Sequence, residues 1–373
     1  MNLMFRKILK RKIIENVFNT SYAMNALLVY IKAPFVFGIN DNHQNSRQVI
    51  DIAQNISSFG YNIDVVDFFD RDFELKKNYD LVFDINVIDY PFYYKYLNPK
   101  AIKIAYFTGS NPTQLNTAEK ERLEDLYIRK GKRLKARRQV APFSHIVEEF
   151  SAVFFIGNKF NLTTYSDYKI NKFYILPNTG YSFPNFALTK KNPRTFMYFA
   201  SCGSVHKGLD LLLDVFSKED CELKLYVCGS YKQEKDFCRL YRNELFHNPR
   251  IFSMGFIDIW SKKFKDICEE SSFCVLPSCS EGMAGSVLTC MSAGVIPICS
   301  KYCGFDESDE VIILPECSIN TLTDCVNEVS KYDLDFIISK CSKVREIAEH
   351  KYNESNFNNT VFAALKEIIT HDK

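Results

Sequence analysis

No stretch of this chain reaches the ~18 uninterrupted apolar residues that a membrane-spanning helix needs. Its basic start, Arg6, Lys7, Lys10, Arg11 and Lys12, is followed by Glu15, Asn16, Asn19 and Asn25 before an apolar run of signal length develops. A cytosolic chain is therefore expected. Charge of one sign is missing too: 47 Lys plus Arg stand against 45 Asp plus Glu, so no overall field marks a nucleic-acid binder. Cysteine is absent until Cys202, the first of 13. An odd number of thiols confined to one half is a poor disulfide framework, and they read as reduced, small core residues. Cys299 and Cys303 flank a loop as a local exception, with nothing nearby to complete a metal site. The 6 histidines lack zinc-type spacing, and no tandem repeat is visible.

Apolar residues are plentiful, 46% of 373, which suits two α/β lobes better than one core. Residues 27–31, 62–69, 81–85 and 102–107 read as strands, and 46–58 as an amphipathic helix. This alternation predicts a parallel sheet whose ligand loops lie at the carboxyl ends of its strands. Strands over 152–156 and 173–176 complete the first lobe. Pro184, Pro193 and weak periodicity mark a linker, after which strands are expected at 195–200, 223–228, 273–276, 295–298 and 311–314. Helices over 334–351 and 357–369 end the chain. The predicted division is a first lobe over 1–180, a linker over 181–194, a second lobe over 195–350, and a C-terminal helix over 351–373 crossing back to the first lobe.

A longer helix is expected to start at Asn116, with Glu119 closing a capping box, and to run into residues 129–138, which hold 7 cations. Two readings of that run stand. One is a solvated helix end favoured by the macrodipole; the other is a patch for anionic membrane headgroups or an anionic acceptor, shared with residues 6–12. No nucleic-acid motif accompanies it, and no nucleic-acid partner is expected.

Two loops carry chemistry. In Phe199-Ala200-Ser201-Cys202-Gly203-Ser204-Val205-His206-Lys207-Gly208 a strand enters a small-residue turn, and a lysine precedes a strongly apolar helix. A cation is poorly placed at a helix start unless an anion answers it; a diphosphate could share the Lys207 ammonium and the free N–H groups of the first turn. In Pro277-Ser278-Cys279-Ser280-Glu281-Gly282-Met283-Ala284-Gly285-Ser286 a carboxylate follows a strand and leads into small residues that open a helix. Glu281 suits sugar hydroxyls or acts as a simple cap, while Gly282 and Gly285 let backbone donors approach a ligand.

These segments resemble the retaining glycosyltransferases of the GT-B fold, specifically family 4, the group 1 glycosyltransferases. The likeness rests on His206-Lys207-Gly208-Leu209-Asp210, on Pro277-Ser278-Cys279-Ser280-Glu281-Gly282, and on Cys290-Met291-Ser292-Ala293-Gly294. Ile251-Phe252-Ser253-Met254-Gly255-Phe256-Ile257-Asp258 looks like the family's strand and loop beside the nucleotide base. The likeness is specific over residues 195–298 and weaker in the first lobe. It implies an α/β chain of two Rossmann-like lobes whose parallel sheets face each other across a cleft.

The resemblance also implies a reaction: retaining, front-face transfer from a nucleotide-diphosphate sugar to a hydroxyl of a glycan or glycolipid acceptor, with no metal or other cofactor. Bacterial surface polysaccharide or lipopolysaccharide synthesis is the expected setting. Glu281 and Lys207 are then the expected catalytic residues, joined by His43 from the first lobe. Around the donor are expected Gly203, Ser204, His206, Lys207, Gly229, Phe256, Ile257, Glu281, Gly282, Met283, Ala284, Gly285, Ser286 and Thr289. Two departures stand out. Thr289 occupies the place of the family's second glutamate, so ribose binding should be weaker or rearranged. Ser201-Cys202-Gly203-Ser204 offers no arginine ahead of the lysine, leaving Lys207, backbone donors and His206 to the phosphates.

In the first lobe, Phe37-Gly38-Ile39-Asn40-Asp41-Asn42-His43-Gln44-Asn45 is a candidate ligand loop, with His43 either orienting an acceptor hydroxyl or lying at the surface. Tyr106-Phe107-Thr108-Gly109-Ser110-Asn111 suits sugar contact, and His145 is a further cleft candidate. Asp70-Arg71-Asp72 spells the Asp-x-Asp pattern of metal-dependent sugar transferases, yet it reads as a polar turn. Two alternatives remain: a non-catalytic nucleotide-sugar or glycan-binding module of the same fold, and a sugar-nucleotide 2-epimerase, which would need convergent acid and base carboxylates.

Overall fold

The computed structural model describes residues 13–40, 43–71, 73–85, 87–143, 145–218 and 222–371. Residues 6–12, Asp41, Asn42 and Asp72 of the expectations above lie outside them. In the first lobe the strands are β1 (Met24–Tyr30), β2 (Tyr61–Asp67), β3 (Tyr79–Asp84), β4 (Leu97–Phe107), β5 (Ala152–Ile156) and β6 (Phe173–Leu176), in the spatial order β2-β1-β3-β4-β5-β6. In the second they are β7 (Asn192–Ala200), β8 (Lys224–Gly229), β9 (Ile251–Gly255), β10 (Ser271–Leu276), β11 (Ile296–Ser300) and β12 (Ile312–Leu314), in the order β12-β11-β10-β7-β8-β9. Neighbours pair in parallel throughout both sheets. Such strands are covered on both faces, which is why runs such as Leu27-Leu28-Val29 and Phe196-Met197-Tyr198 are apolar without alternation and fully buried.

In each sheet the strand order reverses once, between β1 and β3 and between β10 and β7. Ligand crevices form at such points, outside the carboxyl ends of the strands. The loops after β1, β7 and β10 are the ones singled out by sequence, and the sheet order is what brings them together.

The helix expected from Asn116 starts four residues earlier. Helix α2 (Pro112–Lys130), following α1 (Gln44–Ser58), has Pro112 at its first position, and Asn111 caps it by accepting from Thr113 N. Asn116 and Glu119 do other work: Asn116 Nδ2 donates to Val140 O at 2.8 Å, and Glu119 Oε1 accepts from Arg137 N at 2.8 Å and Arg138 N at 2.9 Å. They pin down the segment that returns after the helix. Gly131, in the left-handed conformation, ends the helix at Lys130, so most of the basic run is not helical.

Four of the seven cations in that run have carboxylate partners. Arg129 pairs with Asp125, Asp210 and Asp214, Lys130 with Asp214 at 2.6 Å, Arg133 with Glu124 at 2.6 Å, and Arg137 with Asp236 at 2.5 Å. Several of these carboxylates belong to the second lobe, where Asp210 and Asp214 lie on α3 (Leu209–Phe216). Asp210 is fully buried and also receives both Arg122 bonds, at 2.8 and 3.0 Å. Removing one partner of a buried ion cluster strands the others without counter-charge, at a cost of roughly 3–5 kcal/mol. Asp210→Ala is expected to lower the unfolding free energy by about that much, measured by urea denaturation; a loss under ~1 kcal/mol would show that solvent reaches this cluster.

The linker is shorter than predicted, since residues 192–194 belong to β7. Pro193 is tolerated because it sits at the strand's first turn of pairing, where a missing N–H breaks little. After α4 (Gly285–Ser292) and α5 (Leu334–Lys351), the last helix α6 (Glu354–His371) packs on α1 of the first lobe. Phe362 stacks on Phe59 at 5.1 Å, and Glu354 pairs with Arg47 at 2.8 Å. The 12 described cysteines are free thiols, and Cys299 and Cys303 are fully buried beneath the β10 loop rather than exposed at a loop edge.

Candidate active site

A cavity of about 330 Å3 opens between the lobes and is lined from both. That size falls at the lower end of small-molecule sites. From the second lobe come Ser201, Lys207, Gly229, Phe256, Glu281 and the start of α4; from the first come His43, Gln44 and Arg138.

At its centre Lys207 Nζ and Glu281 Oε1 pair at 2.5 Å, both nearly buried, and Ser278 Oγ donates to the same carboxylate oxygen at 2.8 Å. Burial alone would raise the Glu281 pKa, but the cations around it, Lys207 foremost and Arg138 with it, lower it to about 2. Glu281 is thus an anion throughout the neutral range. Among the described residues its Oε2 has no hydrogen-bond donor, which leaves it for a ligand hydroxyl.

The first lobe builds the loop that presents this carboxylate. Ser110 donates to the Glu281 carbonyl through both N (3.0 Å) and Oγ (2.6 Å), and Asn161 Nδ2 adds a third bond at 3.2 Å. Ser280 Oγ reaches Gln114 Oε1 at 2.8 Å. Gly282 is required by close approach, since a Cβ there would stand 2.4 Å from the Thr108 carbonyl oxygen and 2.5 Å from that of Ile156. Residues 106–111, expected to touch sugar, therefore position the Glu281 loop instead.

Other expected residues are distributed unevenly. His43, Lys207, Gly229, Phe256, Ile257, Glu281, Ala284, Gly285, Ser286 and Thr289 line the cavity. Gly203, Ser204, His206, Gly282 and Met283 stand behind its wall. The N–H groups of Gly203 and Ser204 are not free for phosphate, because the buried Glu234 carboxylate takes both, at 2.7 and 3.1 Å. Leu209 N, at the start of α3, is taken too, by Ser204 O at 2.8 Å. His206 is fully buried, its Nε2 2.7 Å from Ser280 O, so it shapes the loop rather than meeting phosphate. Met283 O accepts from Asn178 at 3.0 Å.

Thr289 Oγ1 donates to Gly285 O at 2.8 Å, which orients its lone pairs while using its single proton. It can accept one ribose hydroxyl where a glutamate would accept two. His43 precedes α1 and reaches the cavity edge; the surrounding walls disfavour its cation and lower its pKa below the usual imidazole value. Beside it, Gln44 Nε2 donates to Gly285 O at 3.1 Å, tying α1 to the start of α4. His145 is not a cleft residue: it is exposed and pairs with Glu148 at 2.7 Å. Asp70 makes a buried pair with Lys32 at 3.1 Å, and Asp72 lies outside the described residues. No group of three or more His, Cys, Asp or Glu suited to a metal ion occurs among the described residues.

Sequence reasoning missed Arg138, Tyr181, Ser230 and Ile259 as cavity residues. Tyr181 comes from the linker, held by Ser292 Oγ at 3.2 Å and edge-on to Trp260. Nothing in its local pattern separates it from a loop residue.

Residues 193–331 match the family model described as Glycosyl transferases group 1. No curated protein matches the chain by sequence. Among solved structures, sucrose-phosphate synthase from Thermosynechococcus elongatus superposes with a TM-score of 0.66 at 10% identity, over 93% of this chain and 100% of that one. Anabaena Alr3699/HepE, solved with UDP and glucose, gives 0.61 at 10% identity, over 92% and 100%. WaaG, a glycosyltransferase involved in lipopolysaccharide biosynthesis, gives 0.53 at 13% identity, over 91% and 98%. These likenesses concern the fold, whereas the family match falls on the lobe that carries Lys207 and Glu281. Residues 193–331 thus carry the likeness to the group 1 glycosyltransferases, and the chain as a whole has the GT-B fold of these solved structures.

Proposed function

We propose that this chain moves a sugar from a nucleotide-diphosphate sugar to a hydroxyl of a glycan or glycolipid, with retained anomeric configuration and without a metal ion. The observation that carries the reading is the Lys207–Glu281 pair, set at 2.5 Å in an interlobe cavity beside the start of α4. Lys207 has two further N–H donors for phosphate oxygens, and the α4 terminus adds partial positive charge where the leaving group develops negative charge. Phe256, 73% exposed at the cavity edge, offers a flat apolar face to a nucleobase.

The way the carboxylate is held supports the retaining reading. Glu281 is the only carboxylate among the described residues lining the cavity, and its Oε1 is engaged by Lys207 and Ser278. It suits a hydroxyl-orienting role better than covalent attack. On the front-face route the bond from the anomeric carbon to the phosphate oxygen breaks as the bond to the acceptor oxygen forms on the same face. The acceptor proton passes to the departing phosphate oxygen. His43, neutral at pH 7, is placed to orient that acceptor. The likeness to WaaG supports a bacterial surface polysaccharide or lipopolysaccharide acceptor.

The test is turnover of a nucleotide-sugar panel with glycan and glycolipid acceptors, in chelator, with NMR of the product's anomeric centre. Retained configuration at full rate in chelator is expected. An inverted product would overturn the mechanism, and activity restored only by a divalent cation would overturn metal independence.

A further inference from the structure

Two of the three fully charged side chains lining the cavity cancel. Lys207 and Glu281 form an ion pair, and the nearby imidazoles of His43 and His206 are neutral at pH 7 because burial lowers the pKa of each. The net positive charge of the cavity wall therefore rests, among the described residues, on Arg138, which belongs to the first lobe.

Arg138 differs from the other arginines of its run. Arg129, Arg133 and Arg137 each have a carboxylate partner, whereas Arg138 has none within ion-pair distance among the described residues. Its Nε is buried and without a hydrogen-bond partner. A guanidinium carries five donors, and leaving one buried and unsatisfied is costly. Such a placement is unfavourable unless an anion answers it.

The fold holds the residue there from both sides. Glu119 accepts from the backbone N–H of Arg137 and Arg138, and Arg137 pairs with Asp236 of the second lobe at 2.5 Å. The side chain then lies across Gly203, where a Cβ would stand 2.7 Å from Arg138 Cγ and 3.0 Å from Cδ. Gly203 has φ +95°, so a larger residue would be excluded by both backbone and neighbour. The small-residue turn after β7 is a floor for an arginine supplied by the other lobe.

We propose that Arg138 is a second cation for the donor diphosphate, laid across the cleft from the first lobe opposite Lys207. The proposal rests on reading this cavity as a nucleotide-diphosphate-sugar site. It makes the phosphates a bridge between lobes, so that donor affinity depends on lobe apposition as well as on the second lobe's own residues.

The experiment is calorimetric titration of wild type, Arg138→Ala, Arg138→Lys and Lys207→Ala with UDP, GDP and ADP and with the matching nucleosides. Thermal unfolding of each variant serves as control. Arg138→Ala is expected to weaken the bound diphosphate about 10- to 100-fold, as for loss of a charge-assisted contact, with nucleoside affinity unchanged and Arg138→Lys intermediate. Equal weakening toward diphosphate and nucleoside would assign Arg138 a merely structural role and overturn the proposal. So would an unchanged diphosphate affinity in Arg138→Ala while Lys207→Ala loses it, an outcome that leaves the donor site itself standing. If no nucleoside diphosphate binds wild type, the donor-site reading falls and this proposal with it.

Discussion

Glu281→Ala is expected to lower kcat by about 10²- to 10³-fold, the usual scale for losing one preorganised group that contacts the reacting sugar. Circular dichroism and the unfolding midpoint should show a folded protein, because the loop is also held through its backbone by Ser110 and Asn161. Glu281→Gln separates charge from shape: it keeps an acceptor for Lys207 and Ser278 but loses the anion. Linkage gives a second readout. The folded carboxylate titrates near 2 against an ordinary value of 4.5, so its contribution to stability is fully present above pH 4.5 and is lost as the pH falls toward 2. The stability difference between wild type and Glu281→Gln should be flat above pH ~5 and shrink below it. Wild-type kinetics in Glu281→Ala would remove this residue from the site.

Lys207→Ala should weaken donor binding and lower kcat together, since the ammonium meets phosphate both in the bound donor and as charge develops on the leaving group. A loss of about 10²-fold or more in kcat/KM is expected. The variant also releases Glu281. Burial pushes that carboxyl upward, and its largest opposing charge would be gone, so the acid limb of the pH–rate profile should move to higher pH. Lys207→Arg should rescue poorly, because a planar fork cannot occupy the space of an ammonium held at 2.5 Å from a nearly buried carboxylate. A profile unchanged in Lys207→Ala would mean that the pair is structural.

The proposed catalytic pair was legible because each member breaks a local rule. Lys207 stands just ahead of a helix, where a cation is unfavourable, and Glu281 follows a strand into a run of small residues. The parallel sheets were legible from unalternating apolar runs at βα spacing. Local signals misled where a polar group answered a distant partner. Glu119 fits a capping-box spacing after Asn116, yet it bonds the chain at residues 137–139. Gly203 and Ser204 look like free phosphate donors until Glu234, thirty residues on, is seen to occupy them. Within the basic run, Arg129, Lys130 and Arg137 look like surface charges until Asp210, Asp214 and Asp236 of the other lobe are brought against them.

The amino-acid sequence by itself determined the strands, the two lobes and the chemistry of the Lys207 and Glu281 loops, because apolar periodicity and turn residues act through neighbours along the chain. Tertiary structure alone decided which donors remain open to a ligand and which unpaired cation faces the cavity. Hydrogen bonds and ion pairs saturate: a group engaged by Glu234 or Asp210 is withdrawn from the cavity, and Arg138 is left facing it. That allocation depends on how the lobes dock, and docking joins residues that no local pattern relates.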